Sequence, residues 1–92
     1  MIESFRHRGL KRLYERGDRS QIRADVADKV ERIPYTADAA DRPKALNLPG
    51  MAFHSLKGDR KGFYVVTVRA NWRIVYRFTN GNTYEVDLVD YH

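Results

Sequence analysis

The last third of the chain constrains the fold most, because it shows three consecutive strand-like segments separated by very short connections. Residues 62–69, 72–79 and 83–89 are rich in β-branched and aromatic side chains that alternate with polar ones. Strands joined this closely pair as antiparallel hairpins, since a parallel pair needs a long crossover. The sequence therefore predicts an antiparallel meander that presents one apolar face.

The spacing of the apolar residues also predicts how these strands pair. The apolar face is even-numbered both from Trp72 to Phe78 and from Tyr84 to Leu88. Because side chains alternate along a strand, paired residues must then sum to an even number, which predicts a three-residue loop at residues 80–82 instead of a two-residue Asn-Gly turn. The predicted pairs are Phe78 with Tyr84, Arg77 with Glu85, Ile74 with Leu88, Val68 with Trp72, Arg73 with both Thr67 and Val89, and Tyr91 with Asn71.

Helical periodicity precedes the strands. Apolar residues at helical spacing predict a first helix over residues 8–16, which Gly17 stops. A second periodic segment spans residues 20–33, with Ser20 as a candidate N-cap and Pro34 as the residue that ends it. The N-terminal part of the chain is therefore predicted to be mostly helical.

The remaining segments complete one small domain over residues 1–92. Residues 1–5 suit a short first strand, and a short helix after Thr36 leads into a loop that closes at residues 49–50. The fold class predicted from this pattern is α+β.

Composition limits the classes of binding partner and the cellular compartment that we expect. The chain has 92 residues, a formal net charge of +5 and no cysteine, so disulfides and thiolate catalysis are excluded. A basic chain this small favours a polyanionic partner, either nucleic acid or an acidic protein. No apolar run approaches a membrane span and no signal peptide is visible, so we expect a cytoplasmic protein that does not associate with membranes.

The chain ends on three side chains that carry chemistry. Asp90, Tyr91 and His92 follow the last strand directly, and a strand can order a terminus that is otherwise frayed. A second histidine, His54, begins a basic segment that continues through Lys57. Two histidines, several cations and an orienting acid are the groups that metal-free cleavage of a phosphodiester needs.

Each of these residues also has an ordinary structural explanation. A terminal histidine is usually solvated, and a histidine beside apolar neighbours, as His54 is, more often packs. The glycine-flanked basic turn from Lys57 to Gly62 can approach a phosphate closely, and the residues predicted beside Arg73 are not acidic, whereas Glu85 is predicted opposite Arg77. The histidine spacing does not suit zinc, and phosphate-loop, dinucleotide and serine-elbow patterns are lacking. His7 has no evident partner in the sequence and is assigned to the surface.

Taken together, these motifs resemble a known family, the HigB-type toxins of the RelE/ParE toxin–antitoxin superfamily. The likeness begins at residues 2–10 and is strongest at residues 56–60, 66–74 and 90–92. The resemblance implies two to three N-terminal helices packed on a small curved antiparallel sheet. It also implies the toxin of a bacterial type II pair, a ribosome-dependent mRNA endoribonuclease whose nucleophile is the RNA 2′-OH.

The resemblance further implies partners and roles. The expected partners are a HigA-type helix-turn-helix antitoxin, the ribosome with mRNA in its A site, and operator DNA only through the antitoxin; no metal or other cofactor is expected. The residues that the resemblance associates with activity are His54, Lys57, Arg73, Asp90, Tyr91 and His92. The basic turn and the end of the sheet beside Arg73 add candidate RNA-binding residues, which are Arg60, Lys61, Thr67, Arg69 and Asn71.

Two other functions stay open at this point. A ParE-like gyrase inhibitor would share the fold but needs no acid–base pair. A non-catalytic nucleic-acid-binding or regulatory module would explain the charge but would leave the terminal His92 without a role.

Overall fold

The helices and strands form one α+β arrangement in the computed structural model, which describes residues 1–39, 41–46 and 51–90. Within that part of the chain the sheet has four antiparallel strands in the order β1-β2-β3-β4. The elements are helices α1 (Arg8–Arg16) and α2 (Ala24–Ala39), followed by strands β1 (His54–Ser55), β2 (Phe63–Arg69), β3 (Trp72–Thr79) and β4 (Asn82–Asp90), with short 3₁₀ turns at Pro43–Leu46 and Gly58–Arg60. The predicted helices-then-sheet order and the meander are confirmed.

The two helices pack on one face of this sheet. Apolar side chains from both layers are removed from solvent, and burial of such surface is the main force that holds two layers together. The fully buried members of this core are Leu10, Leu13, Val26, Val30, Ile33, Leu46, Val66, Ile74, Tyr76 and Val86. The other face of the sheet is turned away from the helices.

Helix α1 begins and ends where the sequence predicts, but one cap was missed. Gly17 closes the helix with a φ of 68°, a left-handed conformation that favours glycine. His7 precedes the helix, and its Nδ1 accepts a hydrogen bond from the backbone N–H of Leu10 at 3.1 Å. The assignment of His7 to the surface is therefore wrong, because this side chain is the N-cap of α1.

Helix α2 differs from its prediction at both ends. It begins at Ala24, because the N–H of Ser20 donates to the Asp18 carboxylate at 2.9 Å and holds the preceding segment in a turn. It also continues past Pro34 to Ala39, so Thr36 lies inside α2. Proline lacks the N–H that a helix would use there, and the complete burial of Val26, Val30 and Ile33 in the preceding turns outweighs that loss. The predicted loop at residues 49–50 lies outside the described residues.

The β3–β4 hairpin has a shorter turn than predicted, together with a bulge. Asn80 and Gly81 form a two-residue turn with φ of 52° and 79°, the signature of a type I′ hairpin. Arg77 consequently pairs with Tyr84, and Phe78 pairs with Thr83 instead of Tyr84. The predicted loop of residues 80–82 is wrong.

A β-bulge then restores the predicted register. The pairing shifts between Val75 and Arg77, where Glu85 adopts a φ of 56°. Beyond the bulge Ile74 pairs with Leu88 as predicted. The shift turns Thr83 into the core, where it is fully buried, and it moves Tyr84 off the face that the sequence assigned to it.

The β2–β3 hairpin repeats this arrangement. Its turn is the pair Ala70 and Asn71, and Arg69 pairs with Trp72, so the predicted pairing of Val68 with Trp72 is wrong. An irregularity between Thr67 and Arg69 restores the register. The predicted partners of Arg73, which are Thr67 and Val89, are both confirmed.

The N-terminal segment protects the outer edge of β4. It makes only isolated parallel bridges, from Ile2 to Thr83 and from Phe5 to Val86, where the sequence predicted a short strand over residues 1–5. The N–H of Glu3 donates to the Thr83 carbonyl at 2.7 Å. These bonds satisfy part of an edge that would otherwise be open to pairing with another chain.

Candidate functional site

The sheet face turned away from the helices carries three of the polar side chains that the sequence singled out, which are His54, Thr67 and Arg73. We call it the outer face. Register and alternation place on it His54, Phe63, Val65, Thr67, Arg73, Val75, Arg77, Tyr84, Asp87 and Val89. None of these side chains belongs to the described core beneath the helices.

His54 and Arg73 share this face in neighbouring rows. His54 is exposed and pairs with Val65, while Arg73 is half-buried and pairs with Thr67. The two rows are two residues apart along β2, which is about 7 Å. The Nη1 of Arg73 donates to the carbonyl of Ala70 at 3.4 Å, so the guanidinium extends toward the β2–β3 turn. An accessible imidazole and a guanidinium therefore face the same side of the sheet.

The basic turn before β2 supplies the next group of cations. Gly58 and Gly62 have φ of 69° and 92°, which a residue with a side chain would adopt only under strain. Lys57 and Lys61 line a depression of about 340 Å³ together with Tyr64. These two ammonium groups are therefore able to reach one anion bound in the turn.

Arg60 belongs to the same turn but serves another surface. Its guanidinium carbon lies 5.1 Å from the centroid of the Phe63 ring, which is on the outer face. The turn thus presents lysines at the edge of the sheet and an arginine over its outer face. A cation over an aromatic ring is attracted by the ring's negative face.

Three further predicted residues gather at the opposite end of the sheet. Arg69, Asn71 and Asp90 line a depression of about 310 Å³, to which Arg23 and Asp25 also contribute. Arg69 donates through Nη1 to the backbone carbonyl of Asp25 at 3.3 Å, so it connects the β2–β3 turn to α2.

Asp90 lies at this end but not on the outer face. It pairs with Trp72, whose ring packs against the core. Alternation therefore places the Asp90 carboxylate on the helix side of the sheet, away from the face that carries His54. Asp90 therefore shares this end of the sheet with Arg73 but not its face. Tyr91 and His92 lie outside the described residues.

The outer face also carries an ion pair between Arg77 and Glu85 that contacts an aromatic ring. The sequence predicted these two residues opposite each other but did not predict the ring beside them. Arg77 donates through Nε to Glu85 Oε2 at 3.0 Å, and its guanidinium carbon lies 4.4 Å from the centroid of the Tyr84 ring. The predicted register assigned Tyr84 to the core and so hid this cluster. The Asn80–Gly81 pair, a strong two-residue turn signal, is the feature that would have revealed it.

The described residues contain no group of three His, Cys, Asp or Glu side chains that is placed to hold a metal ion. In the same part of the chain, no helix is both long and apolar enough to cross a membrane.

Comparison with known proteins assigns this arrangement to a family. A family model described as the RelE-like toxin HigB of type II toxin–antitoxin systems matches residues 3–92. The protein belongs to the HigB-like toxin family. The protein named Endoribonuclease HigB from Proteus vulgaris is 44% identical over 92 residues, with both chains covered completely. The resemblance found in the sequence is confirmed, and membership of a type II toxin family implies an antitoxin as partner.

Proposed function

We propose that this protein is an mRNA endoribonuclease that acts on the translating ribosome and is held inactive by its antitoxin. The observation that carries the proposal is the 44% identity, over the full length of both chains, to a protein named Endoribonuclease HigB. The outer face supports it, because an exposed imidazole and a guanidinium face the same side of the sheet there.

The proposed reaction uses the RNA as its own nucleophile. The 2′ oxygen attacks the adjacent phosphorus, the bond from phosphorus to the 5′ oxygen breaks, and the products are a 2′,3′-cyclic phosphate and a 5′-hydroxyl. A base removes the 2′ proton and an acid delivers a proton to the departing 5′ oxygen, and each role contributes about 10²–10⁴-fold to the rate. Positive side chains stabilise the extra charge on the phosphate without a metal ion.

The side chains divide these roles as follows. We assign the role of base to His54, which is exposed on the outer face and so can reach the RNA. The role of acid is assigned to His92. Lys57 and Arg73 approach the phosphate from the basic turn and from β3 respectively. Asp90 lies on the other face of the sheet from His54, so the imidazole that it orients is that of His92, and Tyr91 holds the substrate.

Substrate binding extends on both sides of these groups. Arg60 and Lys61 belong to the basic turn, Thr67 pairs with Arg73 on the outer face, and Asn71 lies in the β2–β3 turn. The contact of Arg69 with α2 leaves the other nitrogens of its guanidinium able to bind RNA. We further propose that the protein works in the cytoplasm, that its antitoxin carries a helix-turn-helix, and that it reaches operator DNA only through that antitoxin.

Mapping the 5′ ends of cellular mRNA after induction tests this proposal. The wild-type protein, expressed alone, should arrest growth and generate new 5′-hydroxyl ends within translated codons, and co-expression of its antitoxin should suppress both effects. The matched control is His54→Gln, which should accumulate as folded protein and create no new ends. Growth arrest without new mRNA ends would favour the gyrase inhibitor, and normal growth with folded wild-type protein would favour the non-catalytic module.

The proposed independence from metal needs a separate assay. Cleavage of a programmed ribosome, or of an RNA fragment where free RNA is cut slowly, should continue after chelation by EDTA. Ribosome integrity is checked in parallel, since ribosomes need magnesium themselves. Restoration of activity by one divalent ion alone, with intact ribosomes throughout, would contradict the metal-free mechanism.

A further inference from the structure

We propose that a ladder of alternating cations and rings on the outer face, formed by Arg60, Phe63, Arg77 and Tyr84, is a stacking platform for one unpaired base of the RNA substrate. The proposal rests on the proposed function, since it assigns a binding subsite to the same RNA. It adds a subsite one row away from His54.

The ladder runs from the basic turn across β2 and β3 to β4 without interruption. Arg60 lies over Phe63 at 5.1 Å, Phe63 pairs with Arg77 across β2 and β3, and Arg77 lies over Tyr84 at 4.4 Å. Its members alternate between a guanidinium and a ring. Both kinds of planar group stack on nucleobases, and they recur where proteins bind single-stranded RNA.

The position of the ladder suits a nucleotide next to the cleaved bond. Phe63 is two residues from Val65, the strand partner of His54, so the two rows are about 7 Å apart. Arg73 lies in the row on the other side of His54. An RNA strand that crosses the outer face with its reacting phosphate between His54 and Arg73 therefore places a neighbouring base over the ladder.

At Arg77, the charge of the ladder favours a base over a phosphate. Arg77 forms its ion pair with Glu85 at 3.0 Å, so the negative carboxylate offsets its charge and would repel a phosphate close by. The side chains of Arg77 and Glu85 remain 34% and 42% exposed, so the pair is accessible to a ligand. Phe63 and Tyr84 are half-buried, so neighbouring side chains hold their rings while part of each side chain stays accessible to a base.

The Asn80–Gly81 turn and the bulge at Glu85 create this platform. Without the shift they introduce, Tyr84 would follow the parity of Val86 and face the core. The bulge instead turns the ring onto the outer face, where it meets Arg77. A bulge commonly redirects a side chain toward a functional surface in this way.

Single-turnover cleavage of ribosome-bound mRNA by Tyr84→Leu tests the platform. Leucine keeps the apolar character of the site but has no ring. We expect the protein concentration for half-maximal rate to rise about tenfold, in line with the loss of one stacked base, while the maximal rate stays within about twofold. Tyr84→Phe, which keeps the ring, should restore the wild-type value. Tyr35→Leu, which replaces an exposed tyrosine on α2, is the matched control and should change neither value.

A scan of abasic nucleotides around the cleaved bond then separates stacking from a merely structural role. At one position the missing base should weaken wild-type cleavage about tenfold and weaken Tyr84→Leu no further, because the base and the ring act together. The platform would be overturned if wild type and Tyr84→Leu reached half-maximal rate at the same protein concentration. It would also be overturned if the effects of the missing base and of Tyr84→Leu were additive at every position. Either result would leave the proposed nuclease activity intact. No cleavage by the wild-type protein would instead contradict the proposed function, and the platform with it.

Discussion

The hydroxyl of Tyr76 donates a hydrogen bond to the carbonyl of Pro43 across 2.8 Å, which connects the central strand to the segment that follows α2. The tyrosine is fully buried, and its bond anchors a 3₁₀ turn that the sequence did not predict. Removal of the hydroxyl would leave the carbonyl of Pro43 without this donor, which costs free energy because the bond is partly buried.

Tyr76→Phe should therefore lower the free energy of unfolding by about 0.5–1.5 kcal/mol while it leaves the ring in place. Urea unfolding followed by circular dichroism measures this change. Tyr35→Phe is the matched control, because that tyrosine is 55% exposed and its loss of a hydroxyl should cost less than about 0.5 kcal/mol. An equal cost for the two variants would show that the bond to Pro43 contributes nothing.

The same tyrosine should make the protein sensitive to alkali. Burial, and secondarily the neighbouring Tyr64, raise the pKa of Tyr76 above its usual value. The unfolded chain then releases this proton at a lower pH than the folded protein does, so stability falls as pH rises above about 10. Wild-type protein should lose stability more steeply than Tyr76→Phe between about pH 9 and 11 in urea unfolding. Parallel curves would contradict this assignment.

The strand register shows how far periodicity alone carries a prediction. A two-residue turn followed by a one-residue bulge advances the chain as far as the three-residue loop that alternation predicts. For that reason the distant pairs, Ile74 with Leu88 and Arg73 with Val89, were predictable. The pairing of Phe78 next to the turn was not predictable. Alternation shows that one extra residue is present but does not show where in the hairpin it lies.

Helix α2 shows a second limit of prediction from the sequence, in which local signals are present but do not mark the ends of the helix. Ser20 and Pro34 are good local signals for a helix start and a helix end, yet neither bounds α2. The local bond from Ser20 to Asp18 delays the start, and tertiary packing overrides the end. Val30 and Ile33 are fully buried just before the proline, and the helix continues beyond them. A single sequence contains the local preference but not the packing energy that opposes it.

The candidate site likewise contains residues whose positions the sequence predicts and residues whose positions it does not. The register places His54 and Arg73 on one face, but only Arg73 was assigned to a strand by the sequence, because β1 is two residues long and was not predicted. Asp90 shares the parity of Leu88, a core residue, so the register itself excludes it from that face. The cluster of Arg77 and Tyr84 was missed because the predicted three-residue loop replaced the two-residue turn and the bulge that form it.

His7 and His54 should respond to mutation in opposite ways. His7→Ala removes the cap of α1 and should cost about 1 kcal/mol of stability without changing the cleavage rate of the folded protein. His54→Gln, at an exposed position, should leave stability within about 0.5 kcal/mol and lower the single-turnover rate by about 10²–10⁴-fold. Urea unfolding and cleavage of ribosome-bound mRNA measure the two effects. A His54→Gln protein that is folded and fully active would remove the proposed base.

Arg73→Gln should slow cleavage by about 10²-fold, because it removes a donor that stabilises negative charge on the phosphate. Arg73→Lys keeps the charge but loses the planar fork, so it should recover only part of the rate. Lys29→Gln, which removes an exposed cation of α2, is the control for net charge. If Lys29→Gln slows cleavage as much as Arg73→Gln does, the effect is one of overall charge and the role given to Arg73 is wrong.

The terminal histidine provides the decisive test of the acid–base assignment. The last core residue of β4 is Leu88, so we expect His92→Gln and deletion of His92 to change stability by less than about 0.5 kcal/mol. Both changes should nevertheless lower the cleavage rate by about 10²-fold or more, because glutamine cannot deliver a proton to the departing 5′ oxygen. The wild-type rate should show a bell-shaped dependence on pH, whose acidic limb reports the base and whose alkaline limb reports the acid. His92→Gln should lose the alkaline limb, and His54→Gln should lose the acidic one. If the limbs are lost the other way round, the two histidines exchange roles; if His92→Gln keeps both limbs and the parental rate, the acid is another group and the chain end is not part of the mechanism.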